Sequence, residues 1–151
     1  HEIKTALTTA WPQHASTFAE GFASLETDLQ ALDVRFQTFA HSWGNRVLAA
    51  SHPAYNYLAK RYGLQIISLD LNPESMPDSE MLGGIKHVAE EHQINHLLWE
   101  APPANDVAEV YRNLGLQNVL LAPCETIPAS GDYLSAMREN LDRLEALLKN
   151  E

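Results

Sequence analysis

Apolar and polar positions alternate from residue 47 onward in a way that predicts an α/β fold. Short apolar runs at Arg46–Ala50, Leu64–Leu71, Asn95–Glu100 and Gln117–Ala122 predict four buried strands. A stretch with helical spacing follows each run, and this alternation is typical of βαβ units with right-handed crossovers. We therefore expect a four-stranded parallel sheet flanked by helices. The helices are expected over Pro53–Tyr62, Ser79–His92, Ala104–Leu114 and Gly131–Asn150.

A long helix is predicted before the sheet. Residues from Glu2 to Phe39 have helical spacing, with a break at Pro12. After the break, apolar residues recur at alternating spacings of four and three along about six helical turns. That stripe packs either on the sheet or on a partner outside the chain. We expect residues 1–40 to form a connecting helix region and residues 41–151 the α/β part. The stripe comprises Phe18, Phe22, Leu25, Leu29, Leu32, Phe36 and Phe39.

Composition narrows the classes of function. The chain has 151 residues and a formal charge of −10, with no basic stripe, so a nucleic-acid partner is not expected. No apolar run approaches the roughly 18 residues of a membrane span, and no signal pattern is visible at the start. The single cysteine, Cys124, excludes a disulfide within the chain.

Polar side chains follow every predicted strand. Because the carboxyl ends of parallel strands meet at one sheet edge, these side chains are expected there together. Imidazole, carboxylate and thiolate are all ligands that zinc accepts. We interpret Asp70 and Asn72 as residues that close a turn; for His52 and Glu125, metal ligation and an ordinary polar role at a helix start or turn both stay open at this point. The residues concerned are His52, Asp70, Asn72, Glu100, Cys124 and Glu125.

Two other groups of residues bear on function, a possible histidine metal cluster and a possible enzyme site. His87, His92 and His96 lie close in sequence, but the five-residue spacing of the first two does not place them on one helical face. We interpret them as surface residues. A small α/β enzyme that uses His52 with Cys124 or Glu125 remains an alternative, although the chain has no nucleophile elbow and no glycine-rich phosphate loop.

The segment HPAYNYLAKRYGL, which begins at His52, resembles the strand–histidine–helix segment of zinc and manganese solute-binding proteins of ABC transporters. That family usually reads H-[DP]-A-[FY]-x-Y-[FL]-x-x-x-[YF]-G-L there. LDLNPESMPDSEML and INHLLWEAPP are similar to the loop and the strand end that follow in the family. The resemblance extends over essentially the whole chain.

The resemblance implies two α/β lobes joined by a long helix, with one divalent cation bound between them. It makes this chain the C-terminal lobe, and it makes His52 and Glu125 the two metal ligands of that lobe. Glu125 stands where the family usually has aspartate. Glu100 and Cys124 are expected to support the ligands from nearby. A histidine at position 52 is closer to the zinc members than to the manganese members.

The resemblance also implies that a complete member is about twice this long. The missing partners would be an N-terminal lobe with two further ligands and an ABC permease. The precursor would have a signal peptide, and the protein would lie in the periplasm or an equivalent extracytoplasmic site. This chain alone is then expected to bind Zn²⁺ weakly or not at all, with no catalysis. A degenerate lobe that has lost its metal is the other alternative.

Overall fold

The computed structural model describes residues 1–128 and 130–149. Two short 3-10 turns lie at Pro12–His14 and Pro53–Tyr55. The strands are β1 (Val47–Ala50), β2 (Gln65–Ser68), β3 (His96–Trp99) and β4 (Gln117–Leu120). The helices are α1 (Glu2–Ala10), α2 (Ala15–Trp43), α3 (Asn56–Tyr62), α4 (Ser79–His92), α5 (Asn105–Asn113) and α6 (Tyr133–Leu147). No described helix is both long and apolar enough to cross a bilayer.

The chain divides into two compact units, His1–Arg35 and the part from Phe36 onward. In the first unit the predicted break is confirmed, because α1 ends at Ala10 and the 3-10 turn begins at Pro12. The apolar stripe is not covered evenly. Leu25 and Leu29 are 48% and 41% exposed, whereas the later members Leu32, Phe36 and Phe39 are buried.

The second unit contains the predicted parallel sheet. Its strand order is β2-β1-β3-β4, and every neighbouring pair is parallel. β1 and β3 lie in the centre, and the side chains of β3 are buried throughout, as expected for strands covered on both faces. The fold class predicted from the sequence is therefore confirmed. One buried cluster consists of Ala49, Leu71, Ile85, Ile94, Leu97, Trp99, Val107, Tyr111 and Leu116.

Most differences from the predicted elements occur at their ends. β2 stops at Ser68, because Asp70 adopts a left-handed backbone conformation with φ 55° that a strand cannot contain. The helix expected over Pro53–Tyr62 begins as a 3-10 turn and ends, as predicted, at Gly63. The last helix begins after Asp132, whose carboxylate accepts a hydrogen bond from Ser135 N at 2.8 Å. That bond and the Ser135 hydroxyl lower the pKa of Asp132.

His96 is a correction to the sequence prediction. It was expected at the surface but is only 6% exposed, because it begins the central strand β3. Its ring packs edge-on against Trp43 with centroids 5.5 Å apart, and the guanidinium of Arg46 lies 4.0 Å from the Trp43 ring centre. Burial, with the nearby positive charge of Arg46, lowers the pKa of His96, and a hydrogen bond with Gln117 opposes this shift.

Gly63 and Gly83 form a matched pair for testing the backbone. Gly63 ends α3 with φ 72° and has open space where a Cβ would lie. Gly63→Ala should therefore lower the free energy of unfolding by about 1–2 kcal/mol through backbone strain alone. Gly83→Ala, inside α4 and also facing open space, should raise it by about 0.5–1 kcal/mol. Urea unfolding of both variants checks the prediction, and a loss at Gly83 would contradict it.

The buried His96 predicts a pH-dependent stability. In the unfolded chain a histidine takes up a proton as the pH falls below about 6.5, whereas folded His96 does so only at lower pH. Stability should therefore fall as the pH drops through this range and be insensitive to His96 above it. Urea unfolding at neutral and mildly acid pH should show a smaller loss for His96→Gln than for the unsubstituted chain. The exposed His92→Gln is the control, and equal losses in all three chains would contradict the prediction.

Candidate functional site

The carboxyl edge of the sheet brings the predicted site residues to one side of the second unit. Backbone hydrogen bonds continue the sheet beyond its strands, with Ser51 N donating to Leu98 O at 2.9 Å and Leu121 N donating to Trp99 O at 2.8 Å. Leu71 N also donates to Ser51 O at 2.8 Å. The segments that lead to His52 and away from β4 are thus held by main-chain bonds.

His52 follows this pairing directly. Its backbone is extended (φ −139°, ψ 166°), and the next residue, Pro53, starts the 3-10 turn, where the missing N–H of proline costs nothing. The imidazole is half-buried between two carboxylates. Nδ1 lies 3.6 Å from Oε1 of Glu100, and Nε2 lies 3.8 Å from Oδ1 of Asp70. The fold thus places a partly accessible imidazole among negative charges, a setting that favours a cation.

The two carboxylates near His52 differ in surroundings. Glu100 is partly buried, with 26% of its side chain exposed, whereas Asp70 is 96% exposed. The sequence placed Asp70 at the same sheet edge as His52 but interpreted it as a residue that closes a turn, and its approach to Nε2 of His52 adds a contact to that role. Asn72 does have the expected turn role, because its side-chain oxygen accepts a hydrogen bond from Glu74 N at 2.8 Å.

The loop after β4 positions Cys124 and Glu125 beside Glu100. All three line a cavity of about 500 Å³ with Glu139, Asn140 and Arg143. Cys124 is a free, partly buried thiol in the left-handed region with φ 60°, while Glu125 is exposed. Glu100 therefore contacts His52 and also shares a cavity with Cys124 and Glu125.

The described residues of this chain do not by themselves form a complete set of metal ligands. Among residues 1–128 and 130–149, no three His, Cys, Asp or Glu side chains form a group that could bind a metal ion. The imidazole of His52 lies near the carboxylates of Asp70 and Glu100. These contacts do not test the cysteine–histidine nucleophile that the sequence left open.

Two residues that sequence reasoning missed hold the loop in place. Tyr55 is buried, and its hydroxyl donates a hydrogen bond to Leu121 O at 2.8 Å. Burial, with the negative charges of Glu100 and Glu125, raises the pKa of Tyr55 above its ordinary value. A phenol with an ordinary pKa of about 10 is already a donor at neutral pH, and the raised pKa of Tyr55 extends that role to alkaline pH.

Asn140 is the second missed residue. Its amide nitrogen donates to Ala122 O at 2.7 Å, and its amide oxygen accepts from Ala122 N at 3.0 Å. The residue is 2% exposed, and both bonds are partly buried. An asparagine on the apolar face of a helix, next to Leu141, was the signal in the sequence, since a buried amide needs partners.

Comparison with known proteins places this geometry in a family. Residues 1–147 match the family described as zinc-uptake complex component A, periplasmic. The zinc-binding lipoprotein AdcA of Streptococcus pneumoniae serotype 4 is 25% identical over 156 residues, covering 99% of this chain and 31% of AdcA. The match confirms the family resemblance read from the sequence.

Solved structures agree with the family match. The metal-dependent lipoprotein YcdH of Bacillus subtilis superposes with a TM-score of 0.88 at 25% identity. The Zn(II)-bound ZnuA-like domain of S. pneumoniae AdcA gives 0.84 at 25% identity. Each superposition covers 97% of this chain and 57% of the other. The chain thus spans just over half of these structures and about a third of AdcA.

Proposed function

We propose, from the premise that this chain belongs to the zinc-uptake complex component A family, that it is the metal-binding C-terminal lobe of a solute-binding protein. The whole protein would capture zinc for an ABC importer. One observation supports this most directly: His52 and the loop bearing Glu125 lie at the same edge of the sheet. Glu100 lies near His52 and lines the same cavity as Glu125. No step of catalysis is involved, and the ion is cargo.

The chemistry of the two donors suits zinc. A neutral imidazole nitrogen and a carboxylate oxygen are common in tetrahedral zinc sites, and Mn²⁺ prefers sites richer in oxygen. With Glu100 next to Nδ1 of His52, Nε2 is the nitrogen left to bind the ion. A carboxylate near the second nitrogen of a ligating histidine fixes the ring and increases its basicity.

Asp70 and Cys124 have secondary parts in this proposal. The exposed Asp70 carboxylate near Nε2 adds negative charge at the approach to the site and attracts the cation before it binds. Cys124 lines the cavity beside Glu125 and supports that residue without being a ligand. The remaining two ligands would come from an N-terminal lobe.

The same premise divides the chain into two regions. Residues 1–40 would form the linker helix region and residues 41–151 the C-terminal lobe. The family is described as periplasmic, which supports a location outside the cytoplasm, and the partner there would be an ABC permease. Its net charge of −10 favours cations over nucleic acid.

Substitution of each ligand should weaken zinc binding by the full-length protein. His52→Ala and Glu125→Gln are each expected to raise the zinc Kd by more than the roughly 10–100-fold that a supporting residue costs. Competition against a chromophoric zinc chelator measures this. The controls are His87→Ala and Glu109→Gln, which change the same residue types at exposed positions of α4 and α5.

Unchanged zinc affinity in both ligand variants would contradict the site. It would favour a degenerate lobe if zinc is absent from the purified protein, and a site elsewhere if zinc is present.

Residues 1–151 on their own should bind zinc only weakly. Two donors do not complete the four-coordinate shell that zinc prefers, and no third His, Cys, Asp or Glu joins them among the described residues. Isothermal titration of the isolated chain with zinc is expected to give a shallow curve. A steep one-to-one curve that His52→Ala abolishes would show that the chain contains a complete site.

A further inference from the structure

Two side chains bind the short segment Leu121–Ala122 that leads from β4 to Glu125. Tyr55 bonds to the carbonyl of Leu121, and Asn140 bonds to both backbone groups of Ala122. We call these three hydrogen bonds the Leu121–Ala122 clamp. They come from separate elements, the 3-10 turn after His52 and the helix α6, so the clamp joins three parts of the fold.

The Tyr55 arm relates the loop to His52. Tyr55 follows His52 by three residues and ends the 3-10 turn that His52 precedes, and its bond to Leu121 O spans 66 residues of sequence. The residue is 5% exposed, so the hydrogen bond of its hydroxyl is backed by a buried ring. The turn that begins at His52 and the end of β4 are consequently held at one separation.

The Asn140 arm fixes the orientation of the loop. Because one amide pairs with both N–H and C=O of Ala122, the peptide planes around that residue cannot rotate without breaking a partly buried hydrogen bond. Arg143 adds a longer contact, with Nη1 3.4 Å from the Asn140 amide oxygen. Rotation at Leu121–Ala122 is thus restrained from two sides.

Little freedom remains between the clamp and Glu125. Only two residues intervene: Pro123, whose ring fixes φ, and Cys124, which lies in the left-handed region with φ 60°. The clamp therefore restricts where the Glu125 backbone can lie relative to His52. Metal–ligand distances tolerate only about 0.2 Å, so this placement decides how well both side chains can reach one ion.

We propose that Tyr55 is a positioning residue for zinc capture, acting with Asn140 through the Leu121–Ala122 clamp to hold Glu125 in reach of the ion bound by His52. This inference rests on the proposed function. It assigns to Tyr55 a role in affinity that its burial alone would not give it.

Tyr55→Phe removes one oxygen atom and leaves the buried ring in place. In the full-length protein we expect the zinc Kd to rise about 10-fold, the low end for a supporting residue. Tyr111→Phe is the matched control, because Tyr111 is also a buried tyrosine but lies on α5 against Trp99. It should leave the zinc Kd unchanged, with thermal melts recorded for both variants without metal.

A double-mutant cycle separates positioning from general support. If Tyr55 acts through Glu125, then Tyr55→Phe should change the zinc Kd little in a protein that already has Glu125→Gln. The same cycle with Asn140→Asp tests the other arm, since the carboxylate cannot donate to Ala122 O. If Tyr55→Phe does not fold, the cycle with Asn140→Asp still tests whether the clamp positions Glu125.

The outcomes are distinct. An unchanged Kd in Tyr55→Phe, or an equal loss with and without Glu125→Gln, would overturn the positioning role while the ligand variants still support the zinc site. Unchanged affinity in His52→Ala and Glu125→Gln would instead overturn the proposed function on which the inference rests.

Discussion

Parallel pairing at the centre of the sheet is the constraint on which the rest of the structure depends. β1 pairs with β3, and β3 pairs with β4, so the segments after these three strands leave the sheet at the same edge. Main-chain bonds from Ser51 to Leu98 and from Leu121 to Trp99 extend that pairing past the strands. His52, Glu100 and Glu125 follow within a few residues of these bonds, and the pairing brings them to the same edge of the sheet.

Buried polar side chains add to the main-chain pairing by binding the segment that leads to Glu125. Tyr55 and Asn140 contribute no metal-binding atom in our account, yet they are more buried than His52 or Glu125. This is the expected order of burial. Residues that must meet an incoming ion have to stay partly accessible, and residues that fix distances work best where water cannot compete for their hydrogen bonds.

The sequence was sufficient for the sheet, the helices and the place of His52, because apolar periodicity and the alternation of elements are local signals. It was insufficient where a residue's role depends on a distant partner. Tyr55 bonds to a carbonyl 66 residues away, and nothing in HPAYNY indicates this. His96 was misread as a surface residue because its burial comes from strand pairing and Trp43. Asp70 approaches His52 only through a left-handed turn that shortens β2. The ligand roles of His52 and Glu125 stay predictions.

The central claim is that His52 and Glu125 bind the same zinc ion. A crystal structure of the zinc-loaded full-length protein, with anomalous diffraction recorded at the zinc edge, tests it most directly. We predict one strong anomalous peak about 2.0–2.1 Å from Nε2 of His52 and about 2.0–2.2 Å from a carboxylate oxygen of Glu125. A peak bound by His52 with Asp70 or Glu100 in place of Glu125, or one remote from His52, would contradict the account.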